Sequence, residues 1–250
     1  MKRDRRPEGG PVFAEMNPSL LAFLAFIAAA AFGWRSHVRH RLTVGRLRRA
    51  MWDRCVALLA DARLVQQDID FPALHGRYQG YRVTLEAIAD DIGYRKLPQL
   101  WLRATIFADL PVPGVMDYLV RPENIEFYSG IWSLPASLPI PPDWPQHALL
   151  RTSDSDTTFD PARLNPHMSL FEQPQAKELV ISPSGVRVVY QLAQGERAYY
   201  AVFRSLRFAS LPVKSETVSA LLERMLAIVS DLQAQTGGDR VPQKVSAAGR

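Results

Sequence analysis

Asp154-Ser155-Asp156-Thr157-Thr158 is the run in this 250-residue chain that comes closest to a catalytic signature. Two carboxylates this close could serve as a nucleophile and an acid/base, which makes Asp154 and Asp156 the candidate catalytic residues of a phosphatase-like hydrolase. That reaction needs its nucleophile fixed at the end of a buried strand. Here Leu150-Arg151-Thr152-Ser153 precede the motif, with the polar residues nearest to it. A solvated Asp/Ser/Thr loop is the plainer reading, because short motifs recur by chance. The run also fails as a calcium loop: Phe159 stands where glycine is required, and no glutamate closes it.

The spacing resembles that of haloacid-dehalogenase-type phosphatases, which place the first aspartate on an α/β sheet. No acidic pair with a suitable lysine follows here. The histidines offer little more. His37 and His40 are three apart on an expected helix, a spacing that can bind metal, but they sit among arginines that repel a divalent cation. His75, His147 and His167 are isolated in sequence. No G-x-S-x-G, P-loop or G-x-G-x-x-G occurs. The single cysteine, Cys55, excludes an intramolecular disulfide framework and a Cys-rich metal site. Core packing is its simplest role, with palmitoylation as the alternative. No cofactor and no metal are expected, and the residues lean away from an enzyme.

The elements that carry these residues begin with an apolar run. Leu20–Trp34 reads LLAFLAFIAAAAFGW, and Met16, Asn17, Pro18 and Ser19 add no charge before it. Nineteen such residues in a helix span roughly 28 Å, close to the ~30 Å hydrocarbon core of a bilayer. Pro18 is tolerated in the first turn, and Trp34 falls where an interfacial aromatic belongs. A cleaved signal peptide, a buried core helix and a helix lying on the membrane are the competing readings. The arginines that follow oppose the first. The absence of any polar stripe opposes the other two.

Charge divides unevenly along the chain. Lys2, Arg3, Arg5 and Arg6 precede the apolar run, and Arg35, Arg39, Arg41, Arg46, Arg48, Arg49 and Arg54 follow it. Removing both flanks leaves residues 55–250 with 19 basic and 21 acidic side chains, net −2, although the whole chain is +5. The domain is thus not expected to bind nucleic acid. The larger basic flank is expected on the cytoplasmic side, which puts the N-terminus out and the domain in the cytoplasm, in keeping with a bacterial inner membrane. Trp34, Arg35, Arg39, Arg41, Arg46, Arg48 and Arg49 are the expected contacts to anionic headgroups.

Behind the run, Arg35 to about Gln67 reads as one helical stalk, with Gly45 its weak point. Leu74–Tyr78 and Tyr81–Ile88 flank Gln79-Gly80 as a hairpin. Gln99–Ala108, Val115–Val120 and Ile125–Tyr128 are further strands. Residues 133–145 hold five prolines and read as loop or polyproline II. Pro161–Phe171 reads as a short helix despite Pro166. Glu178–Ile181, Val186–Leu192 and Ala198–Leu206 form an antiparallel meander around the Ser182-Pro183-Ser184-Gly185 turn. Ser215 caps a helix whose Leu221, Met225, Ile228 and Leu232 share one face, and Gly237-Gly238 ends it. The expected organisation is therefore a tail (1–16), a transmembrane helix (17–34), a basic stalk (35–68), a soluble domain (69–238) and a disordered tail (239–250). Its class is α+β, an antiparallel sheet packed by a long C-terminal helix.

FPALHGRYQGYRV and KELVISPSGVRVVYQ resemble segments of uncharacterised bacterial single-pass membrane proteins. That resemblance implies a membrane anchor and no activity. Three functions follow: a membrane-tethered interaction or scaffold domain, a binder of lipid or a small hydrophobe beneath the C-terminal helix, and the hydrolase using Asp154 and Asp156.

Overall fold

A computed structural model of the chain describes residues 18–90, 97–123, 126, 128–154, 160–195, 208 and 211–238. It is α+β. The chain divides into two units between Val44 and Gly45.

Helix α1 runs from Pro18 to Arg49. Its first half offers neither a polar stripe nor a charge to disturb it. Its apolar stretch is not buried by protein, and α1 is long and apolar enough to cross a membrane. Arg46, Arg48 and Arg49 occupy its last turn, where cations suit the exposed carbonyls.

The expected stalk ends early. A 3-10 turn, Ala50–Trp52, follows α1 directly, then another at Val56–Leu58, and Ala60–Val65 is strand β1. Met51, Trp52 and Cys55 are 0% exposed. These residues close the core of the second unit instead of standing in solvent. The physical reason is the pattern: Ala62 and Leu64 alternate with Asp61, Arg63 and Val65, which is the period of a strand.

Eight more strands follow: β2 (Ala73–Tyr78), β3 (Tyr81–Asp90), β4 (Gln99–Phe107), β5 (Met116–Val120), β6 (Ala136–Ser137), β7 (Ala148–Thr152), β8 (Ala176–Ser182) and β9 (Gly185–Gln194). They form one antiparallel sheet in the order β1-β2-β3-β4-β9-β8-β5-β7-β6. The β2–β3 hairpin turns on Gln79 and Gly80, both at positive φ (49° and 87°), the backbone of a type I′ turn. The β8–β9 hairpin forms as the SPSG turn predicts, but β9 then pairs with β4 along its length. The expected third meander strand, Ala198–Leu206, lies outside the described residues, as do Ile125 and Phe127 of the expected Ile125–Tyr128 strand. Tyr128 itself is in a turn.

One face of the sheet carries Leu85, Leu102, Ile106, Val188, Leu179 and Tyr118. Helix α2 (Ser215–Gly238) packs there through Val218, Leu222, Met225 and Val229, together with the 3-10 segment Pro161–Glu172. Asp160 caps that segment by accepting from the Ala162 N–H at 2.9 Å. Tyr118 meets the rings of Trp144 and Phe171 edge-on, at 4.8 and 5.0 Å. The proline-rich stretch 133–145 is irregular apart from β6. Its Trp144 is buried and donates to Asn165 Oδ1 at 2.7 Å.

Candidate functional site

The residues singled out in the sequence do not converge. Trp34, Arg35 and Arg39 are exposed on α1, as are Arg46 and Arg49, and Arg41 is half-buried. Arg48 departs from the set: its Nη1 donates to Ile69 O at 2.6 Å, and its guanidinium lies 4.5 Å from the Phe71 ring centroid. Burial lowers its pKa. Part of its side chain is thus committed to the domain.

Asp154 is exposed just beyond β7, a strand with antiparallel neighbours on both sides. It lacks the buried parallel-strand setting that a phosphoryl-transfer nucleophile requires, and Asp156 lies outside the described residues. His37, His40 and His147 are exposed. His75 Nδ1 lies 3.0 Å from Thr84 Oγ1, and His167 Nε2 lies 2.9 Å from Asp231 Oδ2. Among the described residues no three His, Cys, Asp or Glu side chains group around a metal position. The Cys55 thiol is buried, its Sγ 3.7 Å from Val213 O, and burial pushes its pKa up to about 11. A thiol so placed is not available for acylation.

The chemistry sequence reasoning missed lies on the second face of the sheet. Alternation puts Asp117 and Leu119 of β5 opposite in facing to Tyr118. Register sets Asp117 beside Val180 on β8 and Arg151 on β7, and Glu178 beside Val189 on β9. Asp117 and Glu178 are therefore diagonal neighbours on adjacent strands, 2% and 1% exposed. Their carboxyls hydrogen-bond each other, and the Ser129 hydroxyl reaches Glu178.

Described residues between Arg121 and Ser137 lie against the pair, with the Ser129 hydroxyl bonded to Glu178. Tyr128 stacks on Trp101 at 5.1 Å between centroids, and Ile131 is 0% exposed. Glu126 lies 3.5 Å from Lys177 Nζ, and that ammonium also donates to Arg121 O. Arg121, at φ 48°, donates to Pro174 O and Ala176 O, which fixes the segment to β8. Among the described residues, five buried polar atoms on or against this face have no hydrogen-bond partner: Trp101 Nε1, Asp117 Oδ1, Glu126 Oε2, Arg151 Nε and Glu178 Oε1. Buried polar groups are nearly always satisfied, so unmet polarity among the described residues gathers here.

Burial raises the pKa of both carboxyls in the pair. The neighbouring Glu178 charge raises Asp117 further, while Ser129, Arg187, Asp117 and Arg103 pull Glu178 back. The pair shares protons, and its titration belongs to both residues. The sign of the linkage follows. Unfolded, these carboxyls ionise near pH ~4; folded, they hold protons to higher pH. The native state then binds more protons than the unfolded state, so stability falls as pH rises. We expect urea midpoints to decline from about pH 4 through neutrality, by up to about 1.4 kcal/mol per pH unit for each proton retained. Asp117→Asn is expected to flatten that slope. A slope unchanged in Asp117→Asn would exclude the pair as its source.

Beyond Glu178 the same face mixes buried and exposed positions. Trp101, Val189 and Thr105 are buried on it, Arg187 of β9 is exposed, and Arg103 of β4 donates through Nε to Glu86 Oε2 of β3 at 2.8 Å.

Comparison with family models, curated proteins and solved structures finds no match to this chain.

Proposed function

We propose that this chain is a single-pass membrane protein whose α+β domain faces the cytoplasm of a bacterium and serves as an interaction module. The observation that carries the reading is the apolar stretch of α1, which protein does not bury. Nonpolar side chains left uncovered at this density favour an apolar partner, and a bilayer matches the run in length. Seven arginines after the run against four basic residues before it favour the basic end inside. Trp34, Arg35, Arg39, Arg41, Arg46 and Arg49 then sit where headgroups lie, each arginine contributing about 1 kcal/mol. An interaction role is favoured over hydrolysis because Asp154 has neither the burial nor the strand setting of a nucleophile.

Paired C-terminal fusions test the orientation. A green fluorescent protein fusion is expected to glow and an alkaline phosphatase fusion to stay inactive. The reverse pattern would overturn the cytoplasmic placement. Release of the chain by alkaline carbonate would overturn the anchor itself.

A further inference from the structure

The second unit is close to neutral over residues 55–250, yet its arginines are not spread evenly. Arg63, Arg77, Arg82, Arg103 and Arg187 all rise from the second sheet face. The cross-strand row Arg63–His75–Thr84–Thr105–Arg187 shows this, since each residue is the direct partner of the next. Arg77 and Arg82 are also direct partners across β2 and β3. The carboxylates among them are Asp61 and Glu86, so the patch is net +3. Arg63, Arg77, Arg82 and Arg187 are exposed.

Like charges placed directly opposite on a sheet destabilise it. Arg77 finds only a 3.8 Å approach to Asp61, both of them well exposed, and Arg82 rests on the Phe107 ring at 4.0 Å. Neither guanidinium has its forked donors matched by a carboxylate at hydrogen-bond distance. The one arginine so matched is Arg103, on Glu86. The face therefore presents exposed guanidiniums at Arg77, Arg82 and Arg187, set apart by the half-buried Thr84, the buried Thr105 and one neutralised centre.

We propose that this face docks an acidic segment of a partner polypeptide, with carboxylates received by Arg77, Arg82 and Arg187. Guanidinium forks bind carboxylates in a bidentate manner. Adjacent strands lie about 4.8 Å apart, and same-side residues of an extended chain recur about every 6.8 Å. These spacings let separate side chains reach separate arginines. Arg103 already holds the Glu86 carboxylate at 2.8 Å, so the guanidiniums left open are discrete, and carboxylates carried on separate side chains of a polypeptide match them. The inference rests on the interaction-module reading and supplies the chemistry of its partner.

Full-length chain in non-ionic detergent micelles, titrated against a fluorescent peptide of alternating Glu and Ser, tests it. The peptide is expected to bind and to weaken as salt rises. Arg82→Glu with Arg187→Glu is expected to lower affinity by at least about tenfold, since charge pairs across interfaces couple at this scale. Arg82→Gln with Arg187→Gln should do so less severely, and Arg163→Glu, on the segment packed against the other face, should change nothing. Absence of binding to the parent chain would overturn the proposal, as would equal binding to the double variants. Tighter binding of single-stranded RNA or phosphatidylserine vesicles, lost in the same variants, would overturn it in favour of that ligand. The carbonate extraction is independent, so loss of the anchor and loss of peptide binding are separate failures.

Discussion

A chain beginning at residue 69 is expected not to fold, whereas one beginning at Gly45 is expected to fold and unfold cooperatively. The difference is residues 45–68. They supply Met51 and Trp52, both 0% exposed, and Leu59 at 6%. They also supply β1, whose removal bares the β2 edge. Trp52 donates from Nε1 to Pro72 O at 2.7 Å, and the Met51 carbonyl accepts from Val213 N at 2.9 Å, tying this segment to the approach to α2. Truncating one such tryptophan costs roughly 3–5 kcal/mol, against a total domain stability of ~5–15 kcal/mol. Removing the whole segment exceeds that margin. Trp52→Ala alone should shift the urea midpoint strongly while leaving helical circular dichroism recognisable at low denaturant. A folded 69–250 fragment with a sharp thermal transition would refute the assignment of these residues to the core.

Gly185→Ala is expected to be nearly as damaging. Gly185 opens β9 at φ +143°, a conformation L-residues rarely adopt. A Cβ there would lie 2.1 Å from Ile106 O and 3.0 Å from Phe107 Cα, both backbone atoms of the partner strand. Backbone cannot rotate aside as a side chain can. The adjoining turn also holds β4's exit, with Ala108 N donating to Ser184 O at 3.1 Å and Leu110 N to Pro183 O at 2.9 Å. Displacing Gly185 therefore disturbs the β4–β9 pairing at the centre of the sheet. A loss of about 3 kcal/mol or more follows from combining strain with a central-strand shift. Gly80→Ala is the control: φ is +87°, but nothing lies within 4 Å of the new Cβ. Only the conformational penalty of about 1 kcal/mol remains. Thermal unfolding of the two variants should therefore separate clearly. Equal effects would mean the close approach at Ile106 is relieved by a small shift.

Local signals explain which parts of the fold were legible. Gln79-Gly80 and Ser182-Pro183-Ser184-Gly185 mark turns because only certain residues fit those dihedrals, and both hairpins form around them. Ser215 and the i, i+4, i+7, i+11 apolar row likewise locate α2. Strand order was not legible. The β4–β9 and β5–β8 pairings join residues far apart in sequence and follow from packing, not from any local pattern. Ala60–Val65 was absorbed into a helix because Leu58 and Leu59 sit at helix-like spacing just before it. Period-2 alternation over six residues was the signal available. The acid pair left a fainter trace: Asp117 in MDYLV and Glu178 in KELVI are single carboxylates inside otherwise strand-like apolar runs. A lone buried charge needs a neighbour, and only the register shows that each is the other's.

The ends of the sheet carry a separate consequence. Among the described residues the sheet has nine strands and two rims whose unpaired amides and carbonyls are templates for another chain. Here one rim is β6, only two residues long. The other is β1, where the register breaks between Ala60 and Arg63, Asp61 turns to φ 52°, and charged side chains point outward. On the proposed membrane anchor, copies of this chain would meet at far higher local concentration than in free solution, and a long, straight, apolar rim would there propagate into ribbons. Kinked and abbreviated borders oppose such pairing through the backbone.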